Sequence, residues 1–261
     1  MARICTLASG STGNSTYIST VGGDILIDAG ISCKALETAI EQVGDISKLC
    51  AIAVTHTHTD HIKGLKTFLK KTKIPLVASC DTLKHLASES LIPEGVKLVA
   101  ADKGVITVGD LMVDFFATSH DAVGSGGYVI TAPDGKRAAV CTDLGVMTDD
   151  IRQKLYGCEA VLIESNHDIN MLNRGPYPAA LKLRILSDEG HLSNNACAAE
   201  LPDLLKNGTT RIILGHISAE NNTPLLASSS ARTMLAQIGA EEGVDYILQT
   251  AKPKTVGVTV F

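Results

Sequence analysis

His56-Thr57-His58-Thr59-Asp60-His61 gathers three of the chain's eight histidines into six residues, directly after the apolar run Ala51-Ile52-Ala53-Val54. Scattered surface histidines do not cluster in this way. A short apolar run bounded by polar residues reads as a buried strand, and an extended segment leaving it sends alternate side chains to one side. His56 and His58 therefore face one point, and Asp60 and His61 face a second. Imidazole combined with carboxylate suits zinc, manganese or iron, and two adjacent ligand pairs suit two divalent ions about 3.5–4 Å apart. The stretch from Ile62 to Lys71 then reads as a helix.

Two metal sites need more than four ligands, and the ends of other strands are where further side chains converge. Three such residues stand in the sequence. His120 ends the strand-like Val113 to Ser119, Asp143 ends Ala138 to Thr142, and His216 follows Arg211 to Gly215. Each alone reads equally well as a turn residue. The same strand-then-ligand order at all three favours a metal centre.

Working outward, short apolar or alternating stretches at Ile4–Leu7, Thr16–Ile18, Ile25–Ile27, Leu76–Ala78, Val105–Val108, Leu111–Ala117 and Tyr128–Ile130 read as strands. Past Asp143, helices near Asp149–Tyr156, Tyr177–Ser187, Ser193–Leu205 and Pro224–Ile238 are interleaved with strands Ala160–Ile163, Arg211–Leu214 and Thr255–Val260. Both halves mix strands with helices, and no linker or repeat divides them. The expectation is one α/β domain over residues 1–261, with two sheets packed face to face and helices outside, an αββα four-layer sandwich.

Composition narrows the partners. The net charge of −5 carries no global basic signature of a nucleic-acid binder, so a polyanion must use a local patch. Lys63, Lys66 and Lys70 supply one at helical spacing just after the histidine cluster, with a solvated helix face as the plainer alternative. Seven cysteines without a Cys-x-x-Cys pair suit reduced thiols. No apolar run approaches the roughly 20 residues of a membrane span, and no signal-peptide pattern opens the chain, so the expected setting is cytoplasmic.

The ordered set His-x-His-x-Asp-His, strand-end His, strand-end Asp and late His resembles the motif set of the metallo-β-lactamase fold over essentially the whole chain. By that likeness His56, His58 and His120 hold one ion, Asp60, His61 and His216 hold the other, and Asp143 bridges. Asp28, in Leu26-Ile27-Asp28-Ala29-Gly30, matches the fold's early aspartate, which supports the site through hydrogen bonds. Within the superfamily, Leu7 to Ser15, Gly190-His191-Leu192-Ser193-Asn194 and Leu214 to Pro224 resemble the bacterial YycJ (WalJ) subfamily. The resemblance implies an exonuclease acting on double-stranded DNA from the 5′ end, with RNA a lesser candidate. Asp143 and His216 stand too close in sequence for the inserted domain of the ribonuclease J type.

Phosphodiester hydrolysis needs a nucleophile, charge neutralisation and a proton for the leaving oxygen. Asp60 is the residue expected to orient an attacking water held between two ions, Mn²⁺ or Zn²⁺ with iron also chemically suitable. A ligating imidazole cannot donate the proton, so His191 is the candidate acid, by likeness to tRNA 3′-processing enzymes. The alternative is a helix entry capped by Ser193. His167 is a further candidate, for the proton or for substrate. Ser9, Ser11 and Asn14, in a glycine-rich loop that offers backbone N–H groups to a phosphate, and Asn221 complete the candidate substrate contacts, with the three lysines. A thioester, ester or lactone hydrolase of the glyoxalase II type, or a small nucleotide phosphodiesterase, would use the same metals. A non-enzymatic metal binder would have little reason to fill all seven ligand positions.

Overall fold

A computed structural model describes residues 1–261. One sheet contains β1 (Arg3–Ala8), β2 (Ser15–Thr20), β3 (Gly23–Ile27), β4 (Leu49–Ala53), β5 (Leu76–Ala78), β6 (Leu98–Ala100) and the last strand, β14 (Gly257–Val260), in the order β14-β1-β2-β3-β4-β5-β6. The other contains β7 (Ile106–Val108), β8 (Leu111–Ala117), β9 (Gly126–Thr131), β10 (Arg137–Cys141), β11 (Ala160–Glu164), β12 (Arg211–Gly215) and β13 (Ile247–Thr250), in the order β13-β12-β11-β10-β9-β8-β7. The helices are α1 (Cys33–Glu41), α2 (Thr59–Ile62), α3 (Leu65–Thr72), α4 (Cys80–Ser88), α5 (Asp149–Leu155), α6 (Ile169–Arg174), α7 (Ala179–Leu186), α8 (Asn194–Lys206) and α9 (Pro224–Gln237). None is long and apolar enough to cross a membrane.

Side-chain alternation assigns the layers. In β4, Ala51 and Ala53 point into the core between the sheets, while Ile52 and the following Val54 point into a second core with Leu36 and Ile40 of α1 and Phe68 of α3. In β11, Ala160 and Leu162 face the intersheet core, while Val161 and Ile163 join α5, α8 and α9 in a third. A strand buried on both faces has no polar alternation to show, which is why these runs read as continuously apolar. The result is helix, sheet, sheet, helix.

Parallel pairing brings the chemistry to one edge. The pairs β3/β4, β10/β11 and β11/β12 are parallel, so their carboxyl ends lie together. Asp28 follows β3, His56 lies just past β4, Asp143 follows β10, Glu164 ends β11 and His216 follows β12. Two bonds tie the sheets there: Tyr128 Oη donates to the Val54 carbonyl at 2.7 Å, and the His216 N–H donates to Ser9 Oγ at 2.8 Å.

The helix expected from Ile62 to Lys71 is broken in two. Gly64 N–H donates to the Ala29 carbonyl at 2.8 Å instead of continuing the first turn. A Cβ at Gly64 would meet the Ile31 carbonyl oxygen at 2.3 Å, so only glycine admits this approach. The break lets α2 aim Asp60 and His61 independently of α3. Sequence reading passes over α1, β6, α6 and β13. The strands have three and four residues and α6 has six, too short to show a period.

Candidate metal centre

The seven side chains singled out in the sequence meet at the edge where the parallel strands end. His58 Nδ1 lies 3.3 Å from His120 Nε2, His61 Nε2 lies 3.3 Å from Asp143 Oδ2, and His216 Nε2 lies 3.6 Å from Asp60 Oδ2. Their donor atoms fall into three overlapping groups: His56, His58 and His120; Asp60, His61 and His216; and His56, His61 and Asp143. Asp143 reaches both triads, at 3.9 Å from His120 and 3.3 Å from His216. Three ligand-type atoms in this cluster are buried without any hydrogen-bond partner: His56 Nε2, Asp143 Oδ2 and His216 Nε2. Leaving such atoms unpaired costs about 1–3 kcal/mol each, and divalent cations are the partners that this donor set fits. His58, Asp60 and His191, with side chains 36%, 25% and 19% exposed, form its solvent side.

Backbone geometry aims several of these residues. Asp28, Asp143 and His216 adopt left-handed φ of 63°, 60° and 51°, unusual for residues other than glycine. Each turns the chain sharply at a strand end and throws its side chain inward. Asp28 accepts from the Thr55 N–H and the Thr55 hydroxyl, both at 2.8 Å, and faces His61 Nδ1 at 2.8 Å. Thr55 Oγ1 in turn lies 3.0 Å from His56 Nδ1.

Glu164, which sequence reading does not select, is completely buried at the centre of a further network. Its Oε1 lies 2.6 Å from His216 Nδ1 and 2.8 Å from His191 Nδ1, while Oε2 accepts from the Leu144 and Leu192 N–H groups at 3.1 and 3.2 Å. Both oxygens are occupied, so Glu164 orients the two imidazoles. The signal was present: Glu164 ends β11 just as Asp143 follows β10 and His216 follows β12.

The carboxylates set the local protonation. Burial depresses His61, but Asp143, Asp28 and Asp60 outweigh it and raise the imidazole to about 9. Burial also opposes the ionised form of Asp60, yet His216 and His61 hold it at about 2. Glu164 stays well below the usual carboxylate range against its own burial, because His191 and His216 face it. His191 is raised in the same exchange, as Glu164 overcomes its burial. His56, crowded by burial and four other imidazoles, is pushed far down.

The remaining candidates are placed unevenly. Asn14 is buried: its Oδ1 accepts from Gly10 N–H at 2.8 Å and its Nδ2 donates to Asp60 Oδ2 at 3.1 Å. Ser9 is buried beneath His216, and Ser11 is exposed at the loop tip. His167 is buried with both ring nitrogens unpartnered, and burial pushes it down to about 4. Asn221 is buried with Oδ1 unpartnered. Lys63, Lys66 and Lys70 are exposed and form no ion pair, whereas Lys71 is paired to Glu37 at 2.8 Å.

Gly30 packs the loop against the metal ligands. A Cβ there would stand 1.7 Å from the Asp60 carbonyl oxygen and 2.4 Å from Asn14 N. Gly30→Ala should therefore displace Asp60 and the Asn14 loop together. The expected result is a lowered melting temperature, by about 2–4 °C per kcal/mol of strain, together with reduced metal uptake measured by elemental analysis. Normal values of both would show that the loop relaxes freely.

A profile of the β-lactamase superfamily domain matches residues 24–217. The chain belongs to the metallo-β-lactamase-fold hydrolases, which the two-sheet fold and the histidine cluster define. Within them it is a member of the YycJ/WalJ subfamily. It is 37% identical to "Exodeoxyribonuclease YycJ" of Bacillus anthracis, over 95% of this chain and 94% of that protein. It is 36% identical to "Exodeoxyribonuclease WalJ" of Streptococcus pneumoniae over the same shares. Among solved structures, the metallo-β-lactamase fold protein YhfI from Bacillus subtilis superposes with a TM-score of 0.71 at 16% identity, covering 98% of this chain and 99% of that one, a likeness of fold.

Proposed function

We propose that this chain is a divalent-metal-dependent DNA exonuclease that degrades duplex DNA from the 5′ end. The observation that carries the reading is the near-full-length identity to proteins named exodeoxyribonucleases. The intersheet core, built from both sheets, supports treating residues 1–261 as one hydrolase domain. A cytoplasmic setting suits seven free thiols.

In this reading His56, His58 and His120 would hold one ion and Asp60, His61 and His216 the second, with Asp143 within reach of both groups. Bound divalent ions, Mn²⁺ or Zn²⁺, supply an acidified water and neutralise phosphoryl charge. The protein's own groups do the rest. Asp60, on the solvent side, orients the attacking water. His191 gives its proton to the leaving sugar oxygen, with Glu164 fixing its Nδ1 and leaving Nε2 free for substrate. His167 fits that task poorly, since burial keeps it neutral near pH 7. Among the polar candidates Ser11, exposed at the loop tip, is the one open to substrate, and the buried His167, Asn14 and Asn221 stand behind it. Lys63, Lys66 and Lys70 meet phosphates flanking the scissile bond.

The test is a panel of 5′-labelled and 3′-labelled DNA and RNA, single-stranded and duplex, with Mn²⁺ and Zn²⁺ compared. Duplex DNA should release a 5′ label at once as mononucleotide while a 3′ label shortens progressively. Thioester or lactone hydrolysis without attack on DNA would overturn the reading. A second expectation concerns the lysines. Each lysine–phosphate ion pair removed should reduce the slope of log affinity against log salt by about 0.7–0.9, so replacing all three with glutamine should flatten it by up to about 2.7 units. An unchanged slope assigns them to solvent.

A further inference from the structure

Four histidines of the centre give Nδ1 a partner outside the ligand set, and that of His216 also lies 3.3 Å from Asp143 Oδ1. His61 Nδ1 faces Asp28 at 2.8 Å, His216 Nδ1 faces Glu164 at 2.6 Å, His120 Nδ1 faces the Gly190 carbonyl at 3.2 Å, and His56 Nδ1 faces the Thr55 hydroxyl at 3.0 Å. Outer partners of this kind fix the tautomer and ring plane of a ligating histidine and raise its basicity. His58 is the inverted case. Its Nδ1 lies inside the cluster, 3.3 Å from His120 Nε2, so its Nε2 points outward. There it meets Asp121, whose Oδ1 is 3.8 Å away. The other carboxylate oxygen, Oδ2, accepts from Arg184 Nε near the end of α7.

We infer that Asp121 is the outer partner of His58, a positioning residue for the three-histidine group, and that Arg184 keeps it aimed. This rests on the reading of His58 as a metal ligand. The separation of 3.8 Å exceeds a good hydrogen bond by about 1 Å, so the contact is an electrostatic one between ring and carboxylate. Coordination through Nδ1 withdraws electron density from the ring and makes Nε2–H a stronger donor, so the attraction grows as a cation binds. Asp121 Oδ1 also lies 3.6 Å from His120 Nε2. That nitrogen faces the cluster, however, and the outward Nδ1 of His120 already has Gly190. His58 is the ring left to be served.

The pair also joins two distant parts of the site. Ser119 Oγ donates to the Asp188 carbonyl at 2.7 Å, His120 faces Gly190, and Asp121 accepts from Arg184. The segment from Arg184 to Gly190, which leads directly into His191, thus grips the turn carrying His120 at three successive residues. Loosening Arg184 therefore reaches His58 through Asp121.

The test uses Co²⁺ as probe, titrated into metal-stripped protein and read by visible absorption, with Zn²⁺ affinity measured against a chelator. Asp121→Ala should weaken one class of site by about 10–100-fold and leave the other unchanged. Asp121→Asn, which keeps an acceptor oxygen, should lose less, and Arg184→Met should weaken the same class by a smaller factor. Thermal melts of the stripped variants control for folding. Wild-type binding in Asp121→Ala, or equal loss at both classes, would overturn the assignment. His58→Ala separates the two assignments. If it leaves Co²⁺ binding intact, the ligand reading of His58 itself fails; if it loses a site that Asp121→Ala keeps, only the role of Asp121 falls.

Discussion

Asp143→Ala is expected to lose metal at both triads and to reduce turnover by at least about 10³-fold, as the removal of several kcal/mol of electrostatic stabilisation implies. Asp143 contacts histidines of both triads. Asp143 is 2% exposed and lies within 3.3–3.9 Å of His61, His120 and His216, with His191 at 3.8 Å. Its removal leaves His61, His120 and His216 facing one another without the carboxylate that separates them. Alanine is also strained at a φ of 60°, so the isosteric Asp143→Asn is the cleaner variant, because asparagine tolerates the left-handed region. Both variants should show the same metal loss by elemental analysis if the carboxylate charge is what matters. An asparagine variant with full metal content and normal turnover would show that Asp143 serves neither triad.

Much of this centre was legible because its residues announce themselves locally. Three histidines in six residues, and a strand followed by His or Asp three times over, are patterns within reach of one strand and its turn. The layering was legible for the same reason: Ala51 to Val54 and Ala160 to Ile163 carry no polar alternation, so both faces had to be covered. What escaped reading depends on partners far away in sequence. Ser9 looks like a loop residue until its hydroxyl is found accepting from His216 N–H, 207 residues later. Glu164 looks like the polar end of a strand until its two oxygens are seen to serve His191, His216 and two backbone amides. The interruption at Gly64 was hidden because the carbonyl that takes its N–H, that of Ala29, approaches from another segment.

The Glu164–His191 pair yields the second large effect. His191→Ala should keep metal content and DNA affinity yet slow cleavage by about 10²–10⁴-fold, the usual worth of a general acid. The histidine suits that role by geometry, since Glu164 fixes Nδ1 and leaves Nε2 as the free nitrogen at the solvent side. It suits it by charge as well, because Glu164 raises the imidazole above its ordinary value and so keeps a larger protonated fraction near neutral pH. Glu164→Gln retains the packing but removes the charge, and should slow DNA cleavage in the same direction. A leaving group that needs no proton makes the sharper comparison. p-Nitrophenolate departs readily as the anion, so a phosphodiester bearing it should be nearly indifferent to His191→Ala while DNA is not. Glu164→Gln would still impair the p-nitrophenyl substrate somewhat, since it also releases His216. Equal slowing of both substrates by His191→Ala would make the histidine a substrate-positioning group, and no slowing of either would reduce it to the residue that leads into α8.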